Sequence, residues 1–286
     1  MYDLTNPAVI KYLLSRRGFS FSKGLGQNFI IDPDVCPRMA DLSGAEQARG
    51  VLEIGPGIGV LTSELAKRAK KVVAVELDDR LIPVLHETLA YFDNVKIINA
   101  DALKLDLAAL IGEEFGGSAA VCANLPYYIT SPLIMRLLEE RLPVSAVTVM
   151  VQKEAAERLT AEPGTRADGA VSYAVSYFSE ARILFGVGSE SFMPRPKVDS
   201  SVIRLDVRPA PPVSVHDESL MFRLIRCAFN QRRKTVLNAV GSGGGFGREA
   251  TAAALAACGI DPSYRGERLT LADYARLADA FSQCDK

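Results

Sequence analysis

Four consecutive residues, Asn124-Leu125-Pro126-Tyr127, carry the groups that could activate the amino group of a nucleic-acid base. The exocyclic amine of adenine is a poor nucleophile because its lone pair is delocalised into the ring. The side-chain carbonyl of Asn124 and the backbone carbonyl of Leu125 can both accept its hydrogens and so favour a pyramidal, reactive nitrogen. Pro126 would stiffen the turn, and Tyr127 could stack on an extruded base. Taken alone, the tetrapeptide is more typical of an ordinary Asn-Pro turn with a buried tyrosine.

A glycine-rich loop at positions 55–59 is the second candidate site. Gly55 and Gly57 follow a short apolar run, and their missing side chains let backbone amides approach a ligand closely. A dinucleotide-binding fingerprint needs its third glycine at position 60, where this chain has Val60. The spacing therefore counts against a nicotinamide-dependent oxidoreductase.

Two carboxylates follow the next two apolar runs. Glu76 could accept both hydroxyls of a ribose, and Asp101 could accept from the amino group of an adenine. Each has a structural alternative: Glu76 as a helix cap or solvated acid, and Asp101 as the N-cap of a helix over 102–110. Together with the glycine loop, these positions indicate a nucleoside pocket.

The elements that must position these residues are short β-branched runs that alternate with helical patterns. Such runs occur at 51–54, 72–75, 95–98, 119–123 and 144–151. The alternation predicts an α/β fold with a mostly parallel, doubly wound sheet, whose ligands bind at the carboxyl ends of the strands. Two later runs, at 183–187 and 202–207, have no helix between them and predict an antiparallel edge.

A proline-bearing segment at 208–212 predicts the domain boundary. We expect a catalytic domain over 1–208, with a basic N-terminal extension, and a small helical domain over 209–286. In the second domain, Leu224 and Ile225 belong to one apolar helix stripe, from which Arg223 and Arg226 point away. Thr270 and Asp273 predict the cap of a last helix.

Composition limits the chemistry. The net charge is −1 and the sequence pI is about 6.2, so total charge alone predicts no nucleic-acid partner. Five widely spaced cysteines and two histidines indicate neither disulfides nor a catalytic metal, and fit reducing cytosol. The longest stretch without charge, 115–135, is interrupted by prolines and Asn124, so we expect no membrane span.

Basic residues are nevertheless concentrated. The stretch 219–248 contains six of them and no acidic residue, and the stretch 4–31 contains four and none. The first stretch supplies candidate phosphate contacts at Arg223, Arg226, Arg232, Arg233 and Lys234. A solvated basic face is the alternative interpretation.

Several segments in order resemble the ribosomal RNA adenine dimethyltransferase family, over nearly the whole chain. The matching segments are Leu25-Gly26-Gln27-Asn28-Phe29, 53–59, Val75-Glu76-Leu77-Asp78, Asn124-Leu125-Pro126-Tyr127, Gln152-Lys153-Glu154, the stretch from Phe192 to Ser200, and 229–235. The resemblance implies a Rossmann-like methyltransferase sheet that uses S-adenosylmethionine and no metal. It also implies dimethylation of two adjacent adenosines near the 3′ end of small-subunit ribosomal RNA, in a late assembly particle.

The resemblance assigns roles to individual residues. Phe192 would sandwich the target adenine opposite Tyr127, and Asn124 would touch both the cofactor and the target amine. The implied cofactor site consists of Asn28, Ile30, Gly55, Gly57, Glu76, Asp101 and Asn124. The implied catalytic set is Asn124, Leu125, Pro126, Tyr127 and Phe192. We expect a cytoplasmic monomer.

Two alternatives stay open at this point. An antibiotic-resistance type of enzyme that methylates an adenine of large-subunit ribosomal RNA would share the pocket and the Asn124 loop. A catalytically silent binding factor with a methyltransferase fold would keep only the RNA surface. The run Phe229 to Thr235 favours the small-subunit enzyme, and the intact pocket residues count against the binding factor.

Overall fold

The computed structural model describes residues 2–18, 27–165 and 167–284. Lys23 of the basic N-terminal stretch and Leu25 and Gly26 of the first family motif lie outside the described residues. The chain divides into two compact units. The first contains Met1–Ala156 and Glu180–Val207, and the second contains Glu157–Ser179 and Arg208–Lys286.

A seven-stranded sheet forms the centre of the first unit. The strands of the chain are β1 (Phe29–Ile30), β2 (Val51–Ile54), β3 (Val72–Glu76), β4 (Val95–Asn99), β5 (Ala119–Asn124), β6 (Val144–Gln152), β7 (Ser179–Val187), β8 (Phe192–Met193) and β9 (Ser200–Val207). Their order in the sheet is β4-β3-β2-β5-β6-β9-β7, while β1 and β8 form a separate pair. Neighbours from β4 to β6 are parallel, and β9 is antiparallel to β6. The predicted mostly parallel sheet with an antiparallel edge is confirmed.

The described part of the chain also contains twelve α-helices. They are α1 (Pro7–Ser15), α2 (Val35–Leu42), α3 (Val60–Ala66), α4 (Ile82–Thr88), α5 (Leu107–Phe115), α6 (Thr130–Glu139), α7 (Lys153–Leu159), α8 (Ala170–Phe178), α9 (Glu218–Asn230), α10 (Val236–Gly241), α11 (Arg248–Ala257) and α12 (Leu271–Cys284). Within the described ranges, none combines the length and hydrophobicity needed to cross a membrane.

The start of α5 differs from the sequence prediction. Asp106, not Asp101, caps this helix, because its side chain accepts from the backbone N–H of Ala109 at 2.9 Å. Asp101 instead accepts from the N–H of Leu103 at 2.9 Å, which closes a turn directly after β4. The helix predicted over 102–110 therefore begins only at Leu107, and Asp101 stays in the connecting loop.

The second unit is helical, as predicted, and the buried face of α9 includes Leu224 and Ile225. Its boundaries differ from the prediction, because Glu157–Ser179 belongs to this unit although it precedes residue 208. The reason is the packing of Tyr173, whose ring lies 5.2 Å from that of Phe229 and 5.5 Å from that of Tyr274. The chain returns to the second unit at Arg208, one residue before the predicted start of the second domain at 209.

The apolar sequences of the central strands explain where the site lies. All residues of β2 and β3 are buried, and so is β5 up to its last residue, Asn124. Strands covered on both faces leave only their ends available to a ligand. The polar residues of interest accordingly occur where these strands end.

Candidate active site

A cavity of about 210 Å³ lies at the carboxyl ends of β2 to β5. The loops after these four strands line it, together with residues of β1 and β8. All predicted cofactor and catalytic residues border this one cavity, namely Asn28, Ile30, Gly55, Gly57, Glu76, Asp101, Asn124, Leu125, Pro126, Tyr127 and Phe192. The structure thus brings together residues that are far apart in the sequence.

The glycine loop after β2 has a conformation that requires glycine. Gly55 has a φ of 73° and Gly57 a φ of 62°, in the left-handed region that other residues rarely adopt. A Cβ at Gly57 would also lie 3.2 Å from the Phe29 ring. The N–H of Gly57 donates to Glu76 Oε2 at 3.2 Å, so the loop and the next strand end are joined.

Glu76 ends β3 as a buried acid, which excludes the interpretation as a solvated one. Only 6% of the residue is exposed, and burial raises the pKa of its carboxyl group. Besides Gly57, the N–H of Asp78 donates to Glu76 Oε1 at 2.9 Å. Each carboxylate oxygen therefore has one backbone donor and retains lone-pair capacity toward the cavity.

Asp101 lies in the loop after β4 and also borders the cavity. Its Oδ1 is engaged by the turn to Leu103, and its Oδ2 lies 3.5 Å from the ammonium group of Lys104. The Lys104 side chain is 84% exposed, so this ion pair is weak and open to exchange.

Asn124 occupies the junction between β5 and the following loop. Its amide nitrogen donates to the backbone carbonyl of Asn28 at 3.4 Å, a long contact that leaves the amide oxygen as the acceptor. The carbonyl of Leu125 accepts from no donor in the described part of the chain. The loop therefore offers two oxygen acceptors beside one cavity.

Two aromatic residues border the same part of the cavity. The hydroxyl of Tyr127 lies 3.1 Å from Oγ of Ser200, the buried first residue of β9. Phe192 comes from β8, where it pairs with Ile30 of β1. It is 3% exposed and packs in the core while lining the cavity, so the anchoring role and the site role are both compatible with its position.

Among the lining residues to which sequence reasoning gave no role are Gln27, Glu53 and Tyr128. Glu53 is 1% exposed, and burial raises its pKa to about 8. An acid inside the apolar run Val51–Ile54 was the available signal. Gln27 donates to Asp78 Oδ2 at 2.8 Å, a contact between distant segments that no local pattern encodes.

The predicted phosphate contacts fall into different environments in the second unit. Arg226, Arg233 and Lys234 are exposed. Arg223 is exposed too, with its guanidinium 4.3 Å from the centre of the Phe246 ring. Arg232 instead forms ion pairs with Asp168 at 3.4 Å and Glu267 at 3.0 Å. Within the described ranges, no group of His, Cys, Asp and Glu residues could hold a metal ion.

Comparison with known proteins gives a consistent result. A family described as "Ribosomal RNA adenine dimethylase" matches residues 18–283. "Ribosomal RNA small subunit methyltransferase A" of Geobacillus thermodenitrificans is 50% identical over 283 residues, covering 97% of both chains.

Two solved structures are also similar. A dimethyladenosine transferase from Plasmodium falciparum has a TM-score of 0.72 at 25% identity, covering 87% of this chain and 95% of that one. The 23S rRNA methyltransferase ErmE has a TM-score of 0.68 at 26% identity, covering 89% and 100% respectively. With a family match over nearly its full length, this chain belongs to the ribosomal RNA adenine dimethylase family.

Proposed function

We propose that this chain transfers methyl groups from S-adenosylmethionine to the N6 amines of two adjacent adenosines near the 3′ end of small-subunit ribosomal RNA. The substrate is the RNA within a late small-subunit assembly particle. One observation carries the proposal: two oxygen acceptors, of Asn124 and Leu125, border the same cavity as the aromatic rings of Tyr127 and Phe192. Family membership and a relative named for the small subunit agree with it.

The cavity residues fit S-adenosylmethionine, which supplies an electrophilic methyl group on its sulfonium when bound. The N–H groups of Gly57 and Asp78 donate to the two carboxylate oxygens of Glu76, and both oxygens can still accept further hydrogen bonds. Glu76 would use these free lone pairs to bind the ribose hydroxyls. The side-chain-free surface at Gly55 and Gly57 would let the chain approach the ligand closely. Asn28, Ile30 and Asp101 complete this part of the cavity, with Asp101 toward the adenine amine.

Asn124 and Leu125 activate the target amine. Each oxygen accepts a hydrogen bond from one N–H of the amine. These two bonds localise the lone pair on the nitrogen and direct it away from the ring plane. The contact from Asn124 to the Asn28 carbonyl fixes which end of the amide faces the amine. Pro126 limits movement of this turn, since its φ is fixed.

Tyr127 and Phe192 hold the extruded base between them. Each base–aromatic stack contributes about 1–3 kcal/mol. The bond between Tyr127 and Ser200 restrains the ring on one side, and the pairing of Phe192 with Ile30 restrains the other. Holding the amine in line with the methyl group can lower the barrier by about 7–11 kcal/mol, so positioning accounts for much of the catalysis.

The second unit would bind ribosomal RNA through exposed cations. Arg223, Arg226, Arg233 and Lys234 provide them, and no acidic residue lies between positions 219 and 248. We place the enzyme in the cytoplasm, with the assembling particle. All predicted cofactor and catalytic residues of one chain border one cavity, so the predicted site needs no residue from a second copy, and we propose that the chain acts as a monomer.

One substitution pair tests the assigned roles. Asn124→Ala should abolish methyl transfer to small-subunit particles from cells lacking the enzyme, because an amine acceptor is lost. Glu76→Ala should weaken S-adenosylmethionine binding more than Asn124→Ala does, because it removes the ribose acceptor. Mass mapping of methylated adenosines and cofactor titration measure the two effects. Wild-type turnover by the Asn124 variant contradicts the mechanism.

The similarity to ErmE makes large-subunit RNA the competing substrate. The same assay with large-subunit particles decides between them, and methylation of those particles alone would overturn the small-subunit assignment. A protein that binds particles but never S-adenosylmethionine would be the silent binding factor instead.

A further inference from the structure

Tyr128 is an exposed aromatic residue at the active-site cavity. It is 53% exposed and lines the cavity next to Tyr127. In the described portion of the chain it has no hydrogen bond, ring contact or ion pair. Exposed aromatic rings beside a nucleic-acid-binding cavity can serve as stacking platforms for bases.

The cofactor does not account for Tyr128. The other exposed large apolar residues that line the cavity are Leu77 and Leu103, which follow β3 and β4 beside Glu76 and Asp101. That part of the cavity fits the cofactor nucleoside. Tyr128 instead follows β5, in the loop that carries the amine acceptors. It therefore belongs to the substrate side.

We propose that Tyr128 stacks on the base of the nucleotide adjacent to the target adenosine in the RNA strand. This inference rests on the proposed function, since it requires the target base to leave its stack. A base that leaves the stack exposes one face of its neighbour, and an aromatic ring at the rim restores the lost contact. Tyr127 cannot serve both bases, because Ser200 restrains its ring at the target.

The loop geometry holds Tyr128 in place. The N–H of Ile129 donates to the carbonyl of Pro126 at 3.1 Å, which closes a turn around Tyr127 and Tyr128. Helix α6 begins immediately afterwards at Thr130, whose hydroxyl also contacts the Pro126 carbonyl at 3.4 Å. The ordered turn fixes the backbone of Tyr128 before RNA binds, so that stacking costs only the rotational freedom of the side chain.

The test is methylation kinetics on small-subunit particles from cells lacking the enzyme. Tyr128→Ala and Tyr128→Leu should lose about 5- to 150-fold in kcat/KM, the range expected for one base–aromatic stack. Tyr128→Phe should keep near-wild-type kinetics, because it keeps the ring. Tyr91→Ala is the matched control, since Tyr91 is 68% exposed but does not line the cavity.

Further measurements separate stacking from other roles. S-adenosylmethionine affinity and Tm should match the wild type in all Tyr128 variants. Two further particles lack the base of the nucleotide on the 5′ side or on the 3′ side of the target adenosine. On one of them, the kcat/KM of the wild type should fall by the same factor as that of Tyr128→Ala on intact particles. Tyr128→Ala should lose nothing more there.

The outcomes distinguish the inference from the function on which it rests. Full activity of Tyr128→Ala beside an active wild type overturns the stacking role. Equal losses in the Phe variant, weakened cofactor binding, or an additive loss on the abasic particles overturn it as well. An inactive wild type would instead refute the proposed function.

Discussion

Arg232 and Arg233 are adjacent arginines, and we predict that loss of the first lowers stability while loss of the second weakens RNA binding. Arg232→Ala should destabilise the protein, because Asp168 lies beneath this residue with a fully buried side chain. Arg233→Ala should leave stability unchanged and weaken particle binding, because Arg233 is exposed. We therefore expect the sequence run Arg232-Arg233-Lys234 to combine a structural residue with the proposed phosphate contacts Arg233 and Lys234.

The magnitude follows from the geometry of the pair. Removing one partner of a buried ion pair costs about 3–5 kcal/mol. The Arg232 side chain is 44% exposed and its nitrogen lies 3.4 Å from Asp168 Oδ1, so solvent screening reduces this to about 1–2 kcal/mol. The N–H of Gly164 still donates to Asp168 Oδ2 at 2.9 Å in the variant. A fall in Tm of about 3–6 °C is expected.

The pH dependence identifies the cause. Burial raises the pKa of Asp168, and loss of Arg232 should raise it further. A raised carboxyl pKa favours the folded protein at low pH, and that benefit is lost as pH rises through the folded-state pKa. The stability difference between Arg232→Ala and wild type should therefore shrink on acidification, when Asp168 is protonated.

Urea unfolding of the full chain as a function of pH, with hydrogen exchange of the α8 amides, measures these effects. Salt-dependent binding to small-subunit particles measures the Arg233 variant, whose salt slope should fall by about one unit. An Arg232→Ala protein as stable as wild type, with unchanged exchange in α8, would refute the assignment of Arg232 as a structural residue.

Two further substitutions test the cavity itself. Gly57→Ala should lose about 1–2 kcal/mol of stability, because φ is 62° and a Cβ would lie 3.2 Å from Phe29, and should bind S-adenosylmethionine at least about tenfold more weakly. The control is Gly112→Ala in α5, where a Cβ would meet open space, and this change should raise stability by about 0.5–1 kcal/mol. Equal effects of the two substitutions on stability would contradict the strain argument. Burial raises the pKa of Glu53 to about 8, so the cofactor-free wild type should lose about 1.4 kcal/mol of stability per pH unit as pH rises from 4.5 to about 8. Glu53→Gln should not show this loss. Urea unfolding across that pH range checks this, and parallel curves for the two proteins would exclude Glu53 as the source.

The parallel sheet was predictable because its strands are buried on both faces. Strands such as Val51–Ile54 and Val72–Glu76 are apolar runs, and the turns between them contain glycine or charged residues. The position of Glu157–Ser179 was not predictable, because Tyr173 contacts Phe229 and Tyr274 across long sequence separations. Local periodicity contains no information about such packing.

In the candidate site too, the residues at strand ends were predictable from local sequence patterns, whereas a residue brought in by long-range pairing was not. Gly55, Glu76, Asp101 and Asn124 each lie at the carboxyl end of a strand or in the loop directly after it, so one rule about parallel sheets was enough to place them together. Phe192 reaches the cavity only through the two-residue pairing of β8 with β1. Its assignment depended on the family resemblance, since an isolated Phe before a proline-rich turn indicates no partner.

The β1–β8 pair also connects the proposed amine acceptor Asn124 with the proposed stacking residue Phe192. Asn28 precedes β1 and accepts from Asn124, while Phe192 in β8 is paired with Ile30 two positions further on. The orientation of the Asn124 amide and the position of the Phe192 ring are therefore coupled through the same backbone pairing. A change that separates β1 from β8 should disturb amine activation and base stacking together, although neither strand contains an amine acceptor.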